Sequence, residues 1–268
     1  MSFSPNLGRW LQTDPLGYTA GDANLYRYEG NGPIDSFDPL GLAEVDCVAC
    51  GSCKGKKDIS EFMDNLIKKE IAAKTSAENL YKKWGQGLQY TTIERELMKH
   101  PEYAAPPGLD KTIYAGHKVL ETFGLAGCVK LCGQCVGIDK VGHFFQQGWQ
   151  YYRISVLDNK GDELAKMYGV WTEGKGKPED YKENEEYFKK VFGLGGRYGI
   201  YGKTISGVIS NADLAANLAG LQFYKDYAAG KFKTICDYVS KDWDEEQNPN
   251  EYTDEVKKLV EKNLQNRK

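Results

Sequence analysis

The sequence predicts a mainly α-helical protein with a short irregular or β-rich tail at its N-terminus. From residue 58 onward, apolar side chains recur every three or four positions, the spacing of one helix face. Residues 58–61 (DISE) and 75–78 (TSAE) each place a side-chain acceptor three positions before a glutamate, which is the pattern of a helix start. Residues 1–42, in contrast, are rich in Gly, Pro, Asn and Asp between isolated tyrosines, a composition typical of turns and short strands.

The helical pattern extends over residues 58–268 and predicts one domain, joined to the tail by a Cys-rich segment at 43–57. We expect helices near 59–73, 76–85, 92–100, 111–122, 139–154, 179–192, 211–228, 231–242 and 252–266. Residues 153–170 suit either a hairpin around the Asn-Lys-Gly at 159–161 or a turn followed by a helix. Residues 193–209 hold six glycines in seventeen positions, too many for a helix interior, and predict a loop or lid.

Composition and charge are those of an ordinary globular protein. Apolar residues make up 41% of the 268 and charged residues 27%, and the formal net charge is −3. This charge gives no strong nucleic-acid signal, and no HNH, PD-(D/E)xK, GxSxG or HExxH pattern is present. Apolar runs end well before the roughly 18 residues of a transmembrane helix, and residues 1–10 do not resemble a Sec signal peptide. We therefore expect no transmembrane segment, and any export should use another route.

Residues 8–42 match a signature of a known protein family. The stretch resembles the C-terminal end of the Rhs (YD-repeat) core, whose pattern is roughly GRFxxxDPxGxxxGxNLYxYxxNxPxxxxDPxGL. The matching positions are Gly8, Arg9, Asp14, Pro15, Gly17, Gly21, Asn24, Leu25, Tyr26, Tyr28, Asn31, Pro33, Asp38, Pro39, Gly41 and Leu42. The resemblance covers about the first sixth of the chain and implies that the remainder is a variable payload.

The Rhs resemblance implies a delivered toxin. In that family the core forms a β-shell around a variable C-terminal toxin, and an aspartic-protease-like pair cuts after the final leucine. Carried over to this chain, the pair is Asp14 and Asp38, and the cut falls between Leu42 and Ala43. Because both aspartates precede proline, simple turn residues are the alternative. The implied partners are a cognate immunity protein, the rest of the shell and a specialised secretion system such as type VI, in interbacterial competition.

Six of the seven cysteines form two clusters, which are Cys47, Cys50, Cys53 and Cys128, Cys132, Cys135. Their spacing suits a structural zinc, an iron–sulfur cluster, or disulfides between the clusters formed in an oxidising periplasm. Nothing else in the sequence indicates redox chemistry, and spacing alone does not choose between zinc and disulfides. In either case we expect a structural role that fastens the Cys-rich segment to the loop before residue 139. Cys236 is predicted alone on a helix and buried.

Two of the predicted helices carry isolated polar residues four positions apart. One face of the helix at 139–154 carries Asp139, His143, Gln146 and Gln150. Its simple interpretation is an amphipathic helix with Asp139 as N-cap and the glutamines in water. The helix at 211–228 is apolar almost all round, so Asp213 and Asn217 should be buried and should need partners. Because the first helix offers a matching stripe, we predict that the two polar stripes face each other.

This Asp/His/Asp/Asn cluster suits two chemistries. In one, a carboxylate orients His143 as a general base for hydrolysis. In the other, Asp139, His143 and Asp213 hold a divalent metal. The predicted catalytic residues are His143, Asp139, Asp213, Asn217, Lys140 and Ser210, with Glu173 as a further accessory.

The pattern DKxxHF…SxADLxANxxG is similar to a short motif of bacterial envelope proteins, including VanZ-like membrane proteins, over about twenty residues. This similarity favours an envelope component, lipid-linked or peptidoglycan, as the substrate and the periplasm as the site of action. We therefore expect a secreted Rhs-type antibacterial effector whose payload is a hydrolase. The alternatives are a nuclease or nucleotide-modifying toxin, and a non-enzymatic toxin that perturbs membranes through residues 193–224 or blocks a partner.

Overall fold

The computed structural model describes residues 3–4, 9–10, 53–87, 89–105, 109, 112–123 and 127–266. The chain divides into two compact units, Met1–Asp46 with Gln265–Lys268, and Cys47–Leu264. In the first unit, strands β1 (Phe3–Ser4) and β2 (Arg9–Trp10) pair antiparallel. The predicted autocleavage residues Asp14, Asp38, Leu42 and Ala43 lie outside the described residues, as do Cys47 and Cys50.

The predicted mainly helical fold is confirmed. The helices are α1 (Ser60–Ala72), α2 (Ala77–Leu80), α3 (Thr92–Met98), α4 (Lys118–Phe123), α5 (Ile138–Tyr152), α6 (Gly161–Glu173), α7 (Lys182–Phe192), α8 (Asn211–Ala228) and α9 (Asp254–Asn266). Helices α2 and α5 each continue into one π-helical turn, Tyr81–Gly85 and Arg153–Leu157. Two antiparallel strand pairs accompany them, β3 (Cys128–Leu131) with β4 (Gln134–Gly137), and β5 (Val208–Ile209) with β6 (Glu251–Tyr252). None of the described helices has the length and apolar composition that crossing a membrane requires.

Helices α5 and α8 run side by side in the same direction through the centre of the core. Their backbones meet at two glycines, where a Cβ on Gly148 would lie 2.5 Å from the Cα of Gly220. Around this contact Phe144, Phe223 and Tyr224 are fully buried. Each such side chain contributes about 1.5–3 kcal/mol by leaving water. The close glycine contact fixes the register of the two helices and therefore decides which residues meet at their amino-terminal ends.

A two-residue hairpin turn, which the sequence pattern did not reveal, leads into α5. Cys132 and Gly133 both have left-handed backbone conformations, with φ of 52° and 82°, as a tight β-hairpin turn requires. The carboxylate of Asp58 accepts the N–H groups of both turn residues, at 3.2 and 2.7 Å. Asp58 was predicted to start a helix, and its Oδ1 does accept the Ser60 N–H at 2.8 Å. The same carboxylate also holds the hairpin turn.

Several predicted helix boundaries are wrong for identifiable reasons. Residues 231–242 form no α-helix but two 3-10 turns, Ile235–Asp237 and Lys241–Trp243. The side chains of Thr234 and Ser240 each accept a backbone N–H two residues on, and these local bonds compete with a continuous helix. The helix expected at 111–122 begins only at Lys118, because Gly116 is left-handed at φ 80°. Residues 153–170 form a turn followed by α6, not a hairpin.

Helix α2 is capped one residue later than predicted. Ser76, not Thr75, accepts the N–H of Asn79, at 3.2 Å. A complete capping box lies instead at α3, where Thr91 and Glu94 hydrogen-bond to each other's backbone N–H groups.

The Gly-rich stretch 193–209 is a loop docked along the end of α6. Three of its N–H groups donate to the last carbonyls of that helix at 2.9–3.0 Å, in the pairs Gly199–Trp171, Tyr201–Thr172 and Lys203–Glu173. These bonds satisfy carbonyls that a helix end leaves unpaired. They also hold Tyr201 and Glu173 beside the amino-terminal ends of α5 and α8.

All of the cysteines that the structure describes are disulfide-bonded. Cys53 on the Cys-rich segment bonds to Cys135 on β4, and Cys132 bonds to Cys236; Cys128 is disulfide-bonded as well. The prediction of a lone, buried, helical Cys236 is wrong, because this residue lies exposed in a 3-10 turn and pairs with the hairpin. Closing loops of 82 and 104 residues stabilises the fold by about 4–5 kcal/mol per bridge on chain-entropy grounds.

Candidate functional site

The polar residues predicted on α5 and α8 face each other at the amino-terminal ends of the two helices. His143 lies between the two polar residues of α8. Its Nδ1 is 3.1 Å from Asn217 Oδ1, and its Nε2 is 3.3 Å from Asp213 Oδ2. Asp213 and Asn217 are buried, while the His143 side chain keeps 17% of its surface exposed. Both ring nitrogens of a partly accessible imidazole are therefore held by buried polar groups.

Lys140 lies beside this histidine inside a cage of three carboxylates. Its Nζ is 2.8 Å from Asp139 Oδ2 and 2.9 Å from Asp213 Oδ1, and it also contacts Glu245 Oε1. Burial of the side chain, which is 1% exposed, favours the neutral amine, but the three carboxylates raise the pKa of Lys140 well above its ordinary value. Lys140 is therefore a fixed ammonium that neutralises neighbouring carboxylates, a role that differs from proton transfer.

Asp139 and the glutamines of α5 do not occupy the positions of the simple amphipathic interpretation. Gly137 is the N-cap of α5, so Asp139 lies in the first turn, with 38% of its side chain exposed. Gln150 is buried and accepts the hydroxyl hydrogen of Tyr168. Gln146 donates its amide N–H to the carbonyl of Gly87 at 3.0 Å. The expected water-facing glutamine stripe is therefore wrong, because neighbouring elements cover that side of α5.

Ser210 has a structural part in the site. It is the N-cap of α8, and its hydroxyl oxygen accepts the N–H of Asp213 at 3.1 Å. This bond and the helix dipole favour a carboxylate in the first turn. Burial acts in the opposite direction, but His143 and Lys140 outweigh it, and the pKa of Asp213 lies below its ordinary value. Asp213 is therefore ionised, and it bridges the lysine cage to the imidazole.

Glu173 reaches the same point from the last turn of α6. It is 1% exposed, and a carboxylate oxygen of it lies within 4.8 Å of ligand atoms of both His143 and Asp213. Neither of its oxygens accepts a hydrogen bond of normal geometry from any described residue. Burial and the nearby Asp213 raise the pKa of Glu173 well above its ordinary value, although the Ser210 N–H favours the charged form. A buried carboxyl without a hydrogen-bond partner is costly and is typical of functional sites.

A fifth carboxyl group, Glu94, approaches the site from the start of α3. It packs against α5 so closely that a Cβ on Gly142 would lie 2.5 Å from its carboxyl carbon. Burial raises the pKa of Glu94 to about 8, and the charges of Asp139 and Asp213 add to this effect. Helices α3, α5 and α8 thus each direct an acidic residue of their first turn toward one place.

Two site residues, Glu94 and Glu245, were missed from the sequence. The capping box that contains Glu94 is visible as Thr-x-x-Glu at 91–94, but the glycine that admits its carboxyl to the site is not. Glu245 belongs to an acidic stretch after the last 3-10 turn, which has no periodicity, so sequence alone offers no signal for it.

Aromatic and amide side chains close the interior side of the site. The Tyr201 ring meets the His143 ring edge to face, with 6.4 Å between centroids. Gln147, one turn beyond His143 on α5, is 1% exposed, and its amide makes no hydrogen bond of normal geometry within the described part of the chain. The amide nitrogen of Asn217 is likewise buried without a hydrogen bond of normal geometry to a described residue. Gln147, Asn217 and Glu173 thus each bury a polar atom that makes no hydrogen bond of normal geometry among the described residues.

Comparison with known proteins gives one partial similarity. Toxin subunit YenC2 of Yersinia entomophaga is 36% identical over 64 residues, which are 24% of this chain and 6% of that protein. The matched region is thus a small fraction of the relative's length. No protein-family model matches the chain, and no solved structure matches it significantly. The similarity is thus to one short part of a toxin subunit.

Proposed function

We propose that the chain is the C-terminal part of a secreted Rhs-type antibacterial effector whose residues 58–268 form a hydrolase. The Rhs-like signature at 8–42 and the partial similarity to a toxin subunit support the toxin assignment. In this proposal, Asp14 and Asp38 release the payload between Leu42 and Ala43. The payload is delivered by a specialised secretion system such as type VI, and a cognate immunity protein protects the producing cell.

The observation that carries the hydrolase proposal is the fixed imidazole of His143. Asn217 and Asp213 hold its two ring nitrogens at 3.1 and 3.3 Å, and 17% of the side chain remains accessible. A positioned imidazole beside ionised and un-ionised carboxyls is equipped to activate water. Asp139, which is partly exposed, lies at the accessible side of the cluster. These groups supply the proton acceptors that hydrolysis requires.

Two observations support an envelope substrate such as a peptidoglycan or lipid-linked molecule. Three carboxylates surround the single ammonium of Lys140, an electrostatic setting that opposes the approach of a polyanion such as nucleic acid. The disulfides Cys53–Cys135 and Cys132–Cys236 are typical of proteins that work in oxidising compartments, which include the bacterial periplasm.

The test is growth of a bacterial host that expresses the full chain with or without an added export signal. We expect growth arrest only with export. We expect the exported His143→Ala variant to be harmless, because the imidazole is the centre of the cluster. The matched control is His100→Ala, whose partly exposed ring contacts two glutamates and the tilted rings of Phe62 and Tyr103, and this variant should remain toxic.

Circular dichroism of the purified variants separates loss of activity from loss of folding. A folded His143→Ala variant that still arrests growth would contradict the hydrolase site. Arrest only without export would instead favour a nuclease or nucleotide-modifying toxin. Leakage of dye from liposomes by wild type and His143→Ala alike would favour the membrane-perturbing alternative.

A further inference from the structure

We propose that His143 Nε2, Asp213 Oδ2 and one carboxylate oxygen of Glu173 bind a single divalent transition-metal ion. The inference rests on the proposed hydrolase for the role of the ion, while binding itself is testable without any substrate. Glu173 thereby changes from a predicted accessory into a ligand, and Asp139, predicted as a ligand, is left to the lysine cage.

The distances between the three side chains suit one ion. Ligand atoms about 2.0–2.2 Å from a metal, at tetrahedral or octahedral angles, lie about 3.0–3.5 Å apart. His143 Nε2 and Asp213 Oδ2 are 3.3 Å apart, and the ligand atoms of all three residues lie within 4.8 Å of one another. Three ligand atoms this close together can face a single ion.

Glu173 provides the independent reason to place a cation here. Its carboxyl is 1% exposed, points into the cluster, and finds no hydrogen-bond donor of normal geometry among the described residues. Gly202 of the docked loop keeps the space beside it free of a side chain, since a Cβ there would lie 2.6 Å from Glu173 Oε2. A metal ion would satisfy such a carboxylate, whose nearby donor, the Ser210 N–H, makes no hydrogen bond of normal geometry to it.

The environment of His143 is that of a metal ligand. When Nδ1 donates its hydrogen to Asn217 Oδ1, 3.1 Å away, the lone pair of the neutral ring lies on Nε2 and faces Asp213. A lone pair directed at a carboxylate is unfavourable unless a cation, either a proton on Nε2 or a metal ion, lies between them, and metal binding replaces that proton. Metal-binding histidines almost always donate their other N–H to an oxygen, which is the part that Asn217 plays here.

A second carboxylate trio, Asp139, Asp213 and Glu245, is not a further metal site. Its oxygens surround Lys140 Nζ, so an ammonium already occupies the cation position. Asp213 is shared between the two centres, because Oδ1 faces the lysine and Oδ2 faces the histidine. The lysine thus fixes Asp213 in the orientation that metal binding requires.

One imidazole nitrogen and two carboxylate oxygens select the kind of ion. Imidazole suits zinc, whereas a ligand set dominated by oxygen suits manganese, so Zn²⁺ and Mn²⁺ are the candidates. Three protein ligands leave coordination positions for water, and either ion lowers the pKa of a bound water, which supplies the nucleophile for hydrolysis.

The experiment is calorimetric titration of Mn²⁺, and separately Zn²⁺, into the chelator-treated full chain with its disulfides formed. Intact disulfides keep the described cysteines from taking the metal, and because seven cysteines cannot all pair within one chain, the remaining thiol is first blocked by alkylation. We expect one ion per wild-type chain and no saturable binding by Glu173→Gln. The control Glu163→Gln, an exposed carboxylate on the same helix, should bind as wild type does. Asn217→Ala should bind about 10–100-fold more weakly.

Thermal unfolding of the metal-free variants separates a ligand from a structural residue. Glu173→Gln keeps the shape of the side chain and removes an unpartnered acid, so its midpoint without metal should equal or exceed that of the wild type, while the metal-induced rise is lost. Wild-type protein that binds neither ion, or a Glu173→Gln variant that binds as tightly as wild type, would overturn the proposal.

The two proposals fail separately. If no ion binds but a folded His143→Ala variant is harmless in cells, the hydrolase stands and the metal site is wrong. If the ion binds but His143→Ala still arrests growth, the metal site stands and the hydrolase is wrong.

Discussion

The two halves of the α5–α8 pair are built from the same helices but from opposite kinds of contact. The carboxyl-terminal half joins Gly148 to Gly220 and surrounds them with buried aromatic rings. The amino-terminal half buries an ammonium, an imidazole and several carboxyls, and some of these make no hydrogen bond within the described residues. The apolar half therefore fixes the register of α5 against α8, while the polar half contains groups that the stability of the fold alone does not require.

The largest effect is expected from Lys140→Met, which removes a buried cation from three carboxylates, of which Asp213 is itself buried. Breaking a buried ion cluster from one side leaves uncompensated charge and costs about 3–5 kcal/mol. The free energy of unfolding, measured in urea, reports this loss. The matched control is Lys166→Met, which breaks an exposed pair with Glu163 and should change stability by about 1 kcal/mol or less. Equal effects of the two substitutions would contradict the buried lysine cage.

Glu94 should give the polar half a characteristic pH dependence. The folded state keeps the Glu94 proton up to about pH 8, whereas the unfolded chain releases it near its ordinary pKa of 4.5. Folding therefore takes up a proton between these values, and this group makes stability fall as pH rises through the window. The Glu94→Gln variant should lack this fall, gaining about 2–4 kcal/mol over wild type near pH 8.

The pH experiment has its control on the same helix. Glu96 is partly exposed beside Lys99, which lowers the pKa of Glu96. A Glu96→Gln variant should keep the wild-type fall in stability between pH 5 and pH 8. If Glu94→Gln shows the same slope as wild type, Glu94 is not protonated in the folded state.

In the apolar half, Gly148→Ala should test the close backbone contact. The new Cβ would lie 2.5 Å from the Cα of Gly220 and must push the helices apart. We expect a loss of about 1–3 kcal/mol in the free energy of unfolding. Leu218→Ala, at an exposed position on α8, should stay within about 0.5 kcal/mol of wild type. A Gly148→Ala variant of wild-type stability would mean that the two helices are not in this contact.

The smallest effect is expected from Gln147→Leu, and its value lies in the comparison with Gln146→Leu. The Gln147 amide is buried and makes no hydrogen bond of normal geometry among the described residues, so an apolar replacement should be neutral or stabilising. The neighbouring Gln146 donates to the Gly87 carbonyl, and its replacement should cost about 1 kcal/mol. Thermal unfolding of both variants decides whether the polar half contains groups that do not serve stability.

The sequence predicted the centre of the candidate site because the signal is local. Asp213 and Asn217 stand out on a helix that is otherwise apolar, and a buried polar stripe needs a partner such as His143. The same reasoning missed Glu245, whose contact with Lys140 joins residues 105 positions apart through an irregular segment. Helix periodicity describes the face of one element, whereas partners supplied by loops depend on the whole fold.

The fold shows the same limit. The long periodic helices were predicted within a few residues, but 231–242 failed because Thr234 and Ser240 hydrogen-bond locally. The glutamines of α5 were expected in water because the helix pattern does not show which elements cover them. In the structure, Gln146 meets the carbonyl of Gly87 and Gln150 meets Tyr168 of α6. The disulfide of Cys132 with Cys236 could not be read from spacing, because it joins one cysteine cluster to a residue 104 positions away.

The proposal that the polar half of the α5–α8 pair performs chemistry depends most on His143, and one paired measurement on His143→Ala tests it. The thermal midpoint of the purified variant and the growth of cells that export it are measured together. We expect a midpoint close to that of wild type and complete loss of growth arrest. A folded variant that arrests growth as strongly as wild type would contradict the claim and make His143 a structural residue.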